Sequence, residues 1–228
     1  GAYDQGTYGA LEKLPSDVSS RPHAPCETFW NIVARRAVLA AGALERPVAF
    51  RNNDRPGVMM AGAVRAYVNR WAVSPGRAVT VFGNNDNAHR TAADLLAAGV
   101  HVTALIDSRP DAETDLDVRF FKGAQVCDAH GRKGLEAISV ASTSGIDTVR
   151  TDCLAMSGGW NPTVHLTCHM NGRPTWNAAL ASFVPTPGAI PGLAAAGACN
   201  GTMSTHGCLA EGARVAAEAL SELGFKPA

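Results

Sequence analysis

Val81-Phe82-Gly83-Asn84-Asn85-Asp86-Asn87-Ala88 is the stretch on which the fold turns. The residues before it, Ala78–Phe82, are β-branched and apolar and read as a strand. Those after it, Ala88–Ala98, carry apolar residues at helical spacing and stop at Gly99. His101–Ile106 is a second strand, ending at Asp107. A strand, a glycine turn, a helix and a strand within about 30 residues make a βαβ unit. The turn resembles a dinucleotide fingerprint, whose backbone amides point at a pyrophosphate from a helix N-terminus. Gly83 takes the place of the first glycine and Ala88 that of the third, while Asn85 stands where the second would be. A side chain there crowds the pyrophosphate, so the turn departs from the pattern at the position that matters for close approach. Asp107 follows Gly83 by about 24 positions, near the spacing of the acid that accepts from ribose hydroxyls. A carboxylate there disfavours a 2′-phosphate and so favours NAD over NADP. The turn asparagines Asn84, Asn85 and Asn87 have a plainer reading as well, since asparagine bonds its own backbone in tight turns.

Working outward, Val58–Trp71 shows helical spacing and ends before Pro75-Gly76. Downstream, Asp111–Lys122 is a weak candidate for a second crossover helix. Ala124–Ala129, Leu135–Val140 and Asp147–Ala155 alternate, with turns at Gly131 and Gly145, and predict a small antiparallel sheet. Thr163–Thr167 reads as a short strand and Thr205–Leu223 as a closing helix. The segment up to about Pro25 is polar, rich in breakers and expected to be loop.

Two further glycine turns follow apolar strands: Ala41-Gly42 after the run from Val38, and Gly197-Ala198 after Gly192–Ala196. Both resemble elements that lie beside the cofactor in flavoprotein-type Rossmann domains. The expected architecture is therefore α/β: a Rossmann-like dinucleotide-binding domain inserted in part of an outer flavoprotein-type Rossmann domain. Residues 1–50 and 156–228 would belong to the outer part and 51–155 to the inner one. The candidate cofactor-binding residues are Ala41, Gly42, Gly83, Asn84, Asn85, Asp107, Gly197 and Ala198.

Composition narrows the function. Lys plus Arg and Asp plus Glu are 20 each, so no basic field suggests nucleic acid. No apolar run approaches the ~20 residues of a membrane span. The small polar start at Gly1 is no signal peptide, and the cytoplasm is the default location. The start also lacks a methionine, which reads as an internal piece. None of the six cysteines forms a CxxC, which argues against a thiol–disulfide reductase and a paired zinc motif. His165, Cys168 and His169, with Cys199, His206 and Cys208 further on, are too loosely arranged beside Pro162 to assign a metal. No nucleophile elbow is present, so hydrolysis has no support. Glu45-Arg46 reads as a solvated ion pair.

Several stretches carry a family resemblance. Ala40-Ala41-Gly42-Ala43-Leu44-Glu45-Arg46-Pro47 and Asn52-Asn53-Asp54-Arg55-Pro56-Gly57-Val58-Met59 are the most specific of them. Tyr67-Val68-Asn69-Arg70, Asn84-Asn85-Asp86, Gly158-Gly159-Trp160-Asn161-Pro162 and Cys208-Leu209-Ala210-Glu211-Gly212 follow in order. Together they resemble the alpha subunit of heterotetrameric sarcosine oxidase over nearly the whole chain. Subunits of opine oxidase and dye-linked proline dehydrogenase share the weaker parts. The resemblance implies a complex with beta, gamma and delta subunits that demethylates sarcosine to glycine, with electrons passing to oxygen and the one-carbon unit to tetrahydrofolate. It implies NAD on the alpha subunit, FAD and the substrate site on the beta subunit, and FMN between them. This chain would then hold cofactor and support assembly, with no catalytic residue of its own. Two departures stand out against that family: the short Asp111–Lys122 region, and Ala198 where flavin domains usually carry an acid.

Overall fold

The structure, a computed structural model, describes residues 32–226. The loop expected up to about Pro25 lies outside them. The central element is a five-stranded parallel sheet. Its strands are β3 (Val58–Met60), β4 (Val79–Gly83), β5 (Val102–Asp107), β6 (Phe120–Lys122) and β10 (Cys153–Ser157), in the order β3-β10-β4-β5-β6. Helices α1 (Ala61–Trp71) and α2 (Asp86–Ala97) cover one face. An antiparallel meander of β7 (Gln125–His130), β8 (Ala137–Ser142) and β9 (Gly145–Arg150) lies on the other.

Strand alternation explains why both faces are filled. Val79, Val81, Leu105, Cys153 and Ala155 pack with Val64, Ala88, Ala92 and Leu95 of the helices. Their neighbours Phe82, Ala104, Ile106, Leu154 and Met156 pack with Val126, Ile138, Val140 and Val149 of the meander. Such strands read as continuous apolar runs because neither face meets water. α2 buries Ala88, Thr91, Ala92 and Leu95, one stripe at i, i+3, i+4 and i+7. It ends where Gly99 turns left-handed (φ +73°) and Val100 N–H donates to the Leu95 carbonyl at 2.9 Å.

Four expectations about the elements are corrected; the first is that Val58–Met60, expected to be helical with the residues up to Trp71, is strand β3. Asp111–Lys122 contains no helix; it is irregular until β6. Acids at 111, 113, 115 and 117 crowd any helix, the Thr114 hydroxyl accepts from Leu116 N–H at 3.3 Å, and Leu116 and Val118 face the core at a spacing of two. The run Asp147–Ala155 is split: β9 stays with the meander and β10 returns to the parallel sheet. The break lies at Asp152, whose carboxylate accepts from Arg77 N–H (3.0 Å) and Ala78 N–H (2.9 Å). Finally, the strand near Thr163 is earlier, at β11 (Trp160–Pro162), and His165–Asn171 is a 3-10 helix. The Thr167 hydroxyl donates back to the Val164 carbonyl at 2.7 Å there, a local bond that competes with strand pairing.

The remaining chain flanks this unit. β1 (Ala37–Leu39) pairs in parallel with β14 (Leu193–Ala195). β2 (Ala43–Glu45) pairs with β11, and β12 (Thr175–Asn177) with β13 (Ser182–Val184), both antiparallel. Helix α3 (Thr205–Glu222) follows a short 3-10 turn at Gly197–Asn200. Glu45 and Arg46 are not paired with each other in the way expected. The Glu45 carboxylate accepts from Gly62 N–H at the start of α1 (2.8 Å), and Arg46 donates to the Ala181 carbonyl (2.9 Å). The Asn52–Gly57 stretch is a clasp: Asn52 donates to Asp128 (2.7 Å) and the Arg55 guanidinium to the carbonyls of Ala129 and Gly131.

Candidate functional site

The eight residues singled out from the sequence fall into two groups at the carboxyl ends of parallel strands, where open α/β sheets bind ligands. The inner group is Gly83, Asn84, Asn85 and Asp107. Gly83 and Asp107 are register partners at the tips of β4 and β5. Gly83 is glycine for contact: a Cβ there would lie 2.5 Å from Ala88 Cβ and 3.0 Å from the Ser157 carbonyl oxygen. The helix thus starts tight against the strand. Asn85 caps it, its Oδ1 accepting from Asn87 N–H at 3.0 Å. Its Nδ2 donates to the Ser157 carbonyl (3.0 Å) and to Asn84 Oδ1 (2.9 Å). The Asn85 side chain therefore bonds one of the helix amides that would face an anion. Asn85→Ala removes this cap and should lower stability by about 1 kcal/mol, read as a drop in urea midpoint at unchanged slope.

Asp107 is 0% exposed. It accepts from His89 Nε2 (2.8 Å), from Arg109 N–H (2.9 Å), and from Arg109 Nη2 (2.8 Å) and Nε (3.2 Å). Burial pushes its carboxyl up, but the bonds from Arg109 and His89 and the Arg109 charge outweigh that and hold it below the ordinary carboxylate range. Arg109 continues to Asp86 at 2.8 Å, and its hydrogen bonds to Asp107 raise its own pKa. His89, Arg109 and Ser157 were not singled out from the sequence. The available signal was position alone: His89 one turn into the helix, Arg109 two residues past the strand-end acid.

The outer group is Ala41, Gly42, Gly197 and Ala198. β1 and β14 run parallel with Leu39 opposite Ala195, so both glycine turns leave the same end of the pair. The Leu39 carbonyl ties them together, accepting from Ala196 N–H (2.9 Å) and from the Cys199 thiol (3.2 Å). Gly42 is left-handed (φ +72°) with open space where a side chain would be, and Gly197 is left-handed too (φ +77°). The Glu211 carboxylate, from α3, accepts from Gly197 N–H and from Asn200 Nδ2, each at 2.7 Å. Burial raises its pKa, and these bonds, with Thr202 and Arg214, bring it below the usual value. Glu211 is a further residue that spacing alone did not point to. A cavity of about 380 Å³ runs from Ala195 and Asn200 along the carboxyl-terminal half of α3, past Arg36, Arg214, Glu218 and Glu222. Helix carbonyl ends there carry partial negative charge, which suits an anionic cofactor poorly. Among the described residues no group of three His, Cys, Asp or Glu side chains is placed to hold a metal, and no helix is long and apolar enough to cross a membrane.

A parallel sheet with helices on one face, a meander on the other and glycine turns at the strand tips defines the class: a Rossmann-type α/β fold. The solved L-proline dehydrogenase from P. horikoshii shares it, with a TM-score of 0.68 at 23% identity over 86% of this chain and 36% of that one. No family model matches. The particular relatives are sarcosine oxidase alpha subunits, to which the chain is homologous along 99% of its length. That of Rhizobium meliloti (strain 1021) is 45% identical over 228 residues, and that of Corynebacterium sp. (strain P-1) 37% identical over 243. The chain spans about a quarter of the length of these curated relatives, 23% and 25% respectively.

Proposed function

We propose that this chain is the cofactor-holding and assembly portion of a sarcosine oxidase-type alpha subunit, with the inner unit at residues 51–155 inserted into the outer one. It holds an adenine dinucleotide, NAD, at the outer turns of Ala41-Gly42 and Gly197-Ala198. Oxidative demethylation of sarcosine then proceeds on flavins that partner beta, gamma and delta subunits help to hold. The observation that carries the placement is the parallel β1–β14 pair, which delivers two left-handed glycine turns to one end, one of them facing open space. Bare backbone at Gly42 lets a pyrophosphate approach the chain closely, whereas the Gly197 amide is held by Glu211. The choice of NAD rests on what the family resemblance implies for the alpha subunit; Asp107 lends it no support, because both its oxygens are already bonded. Assembly is supported by apolar side chains left exposed on the outer part, among them Leu209 (70%), Trp176 (54%) and Phe183 (52%).

NAD binding to the folded chain raises its stability by RT ln(1 + [L]/Kd), about 2.7 kcal/mol at a hundredfold excess over Kd. Thermal melting with and without NAD measures this. Gly42→Val forces a β-branched residue into the left-handed region and fills the open space, and is expected to abolish most of the ligand-induced shift. An equal shift in the variant, or none in the native chain, would overturn the placement.

A further inference from the structure

We infer that the inner Rossmann crevice is closed by its own side chains and takes no dinucleotide, so that this unit supplies no hydride from a nicotinamide. A dinucleotide at such a crevice needs three things: free amides at the helix start, clear space above the turn, and an unengaged carboxylate for the ribose. Each is already used. Asn85 stands where bare backbone is required, and its Oδ1 takes the Asn87 amide while its Nδ2 reaches the tip of β10 at Ser157. The amide oxygen thus does the work of the anion.

At the next strand tip, Arg109 and His89 do the work of the ribose. Asp107 is wholly buried, one oxygen bonded to Arg109 N–H and Nε and the other to His89 Nε2 and Arg109 Nη2. A hydroxyl would have to displace a charge-assisted bond and offer a neutral one in return. The outside of the crevice is no more inviting. The depression beside Arg109 is lined by Asp86, Asp111 and Glu113, and the one nearby guanidinium is already shared between Asp107 and Asp86. Three carboxylates around a spoken-for arginine repel a pyrophosphate. What remains is a wedge held by two polar clusters: Asn85 ties the start of α2 to the tip of β10 at Ser157, and Asp107 ties the tip of β5 to His89 of α2.

The test is amide NMR of the native chain, labelled with nitrogen-15 and titrated with NAD. The resonances of Gly83–Ala88 and of Asp107–Arg109 are expected to stay in place, up to NAD concentrations at least about tenfold above any Kd measured for the chain. A His89→Gln chain, which keeps a hydrogen-bonding side chain beside Asp107, is expected to bind NAD within about twofold of the native value. Saturable shifts at the inner turn, or weakening by about tenfold or more in His89→Gln, would overturn the closed crevice. Shifts confined to Ala41-Gly42 and Gly197–Asn200 support both this inference and the outer placement. Absence of any binding leaves the crevice closed but removes the function proposed above.

Discussion

Replacing Asp107 by alanine is expected to lower the stability of the chain by about 3 kcal/mol. That is the low end of the range for breaking a buried pair, because the Arg109 side chain is 35% exposed and can turn to water once released. His89 and the Arg109 backbone amide have no such escape, and the tip of β5 loses the group that ties it to α2. For a domain of this size the melting temperature should fall by about 6–12 °C. Asp107→Asn keeps the shape and loses the charge, so it should cost less. The pH dependence follows from the sign of the shift. The folded carboxyl titrates below its unfolded value of about 3.9. Its contribution is therefore complete above that pH and is lost as pH falls through it toward the lower folded value. Urea midpoints between pH 6 and 3 should fall more steeply in the native chain than in Asp107→Asn. Parallel curves would show that the network does not stabilise the fold.

Gly83→Val should be nearly as damaging for a different reason. Gly83 needs no unusual φ; it needs the absence of a side chain, since its Cβ would meet Ala88 Cβ at 2.5 Å and the Ser157 carbonyl at 3.0 Å. Neither neighbour is the flexible end of a side chain. Either α2 lifts off the sheet or β10 moves, and overpacking of this kind costs about 1–3 kcal/mol. Compensation gives the discriminating comparison. Gly83→Ala should regain stability when combined with Ala88→Gly beyond the sum of the single changes, even though glycine in a helix costs about 1 kcal/mol against alanine. Strict additivity in the double variant would contradict the contact. Circular dichroism with urea unfolding suffices to read all four chains.

The parts of the fold that were legible in the sequence are those where one periodicity dominates. Buried β4 and β5 are largely apolar runs, broken by Thr80 and Thr103, whose hydroxyls bond each other, and α2 carries its stripe of Ala88, Ala92 and Leu95 between a cap and a glycine. Thr205–Glu222 is helical for similar local reasons, with the Ser204 side chain accepting from Gly207 N–H at its start. The misread segments are those where tertiary contacts compete with weak local preference. Leu116 and Val118 are drawn to the core at a spacing of two, so Asp111–Lys122 has no helical face to bury. Asp152 interrupts an alternating run because its carboxylate serves the backbone at Arg77 and Ala78, far away in the chain.

The candidate site divides in the same way. Backbone requirements are readable: Gly42 and Gly197 are left-handed, and Gly83 is in close contact. Asn85 at the second fingerprint position signalled that the inner turn was unusual. What it does there depends on Ser157, 72 residues later, and no spacing rule joins them. Asp107 matched the expected position of a ribose-binding acid, but its use is decided by His89 and Arg109 side chains that only the folded chain brings to it. Glu211 reaches Gly197 from the second turn of a helix, again a meeting that the turn itself does not announce.

On the proposed reading, nucleotide binds at the outer turns and the inner crevice is shut. A crystal structure of the chain grown with NAD tests it most directly. Electron density for the pyrophosphate should lie against Gly42 and the Gly197–Asn200 turn, with the Asn85 cap and the Asp107–Arg109 pair intact. Density running along Gly83–Ala88, with Asn85 swung aside and Asp107 turned to a ribose, would contradict it.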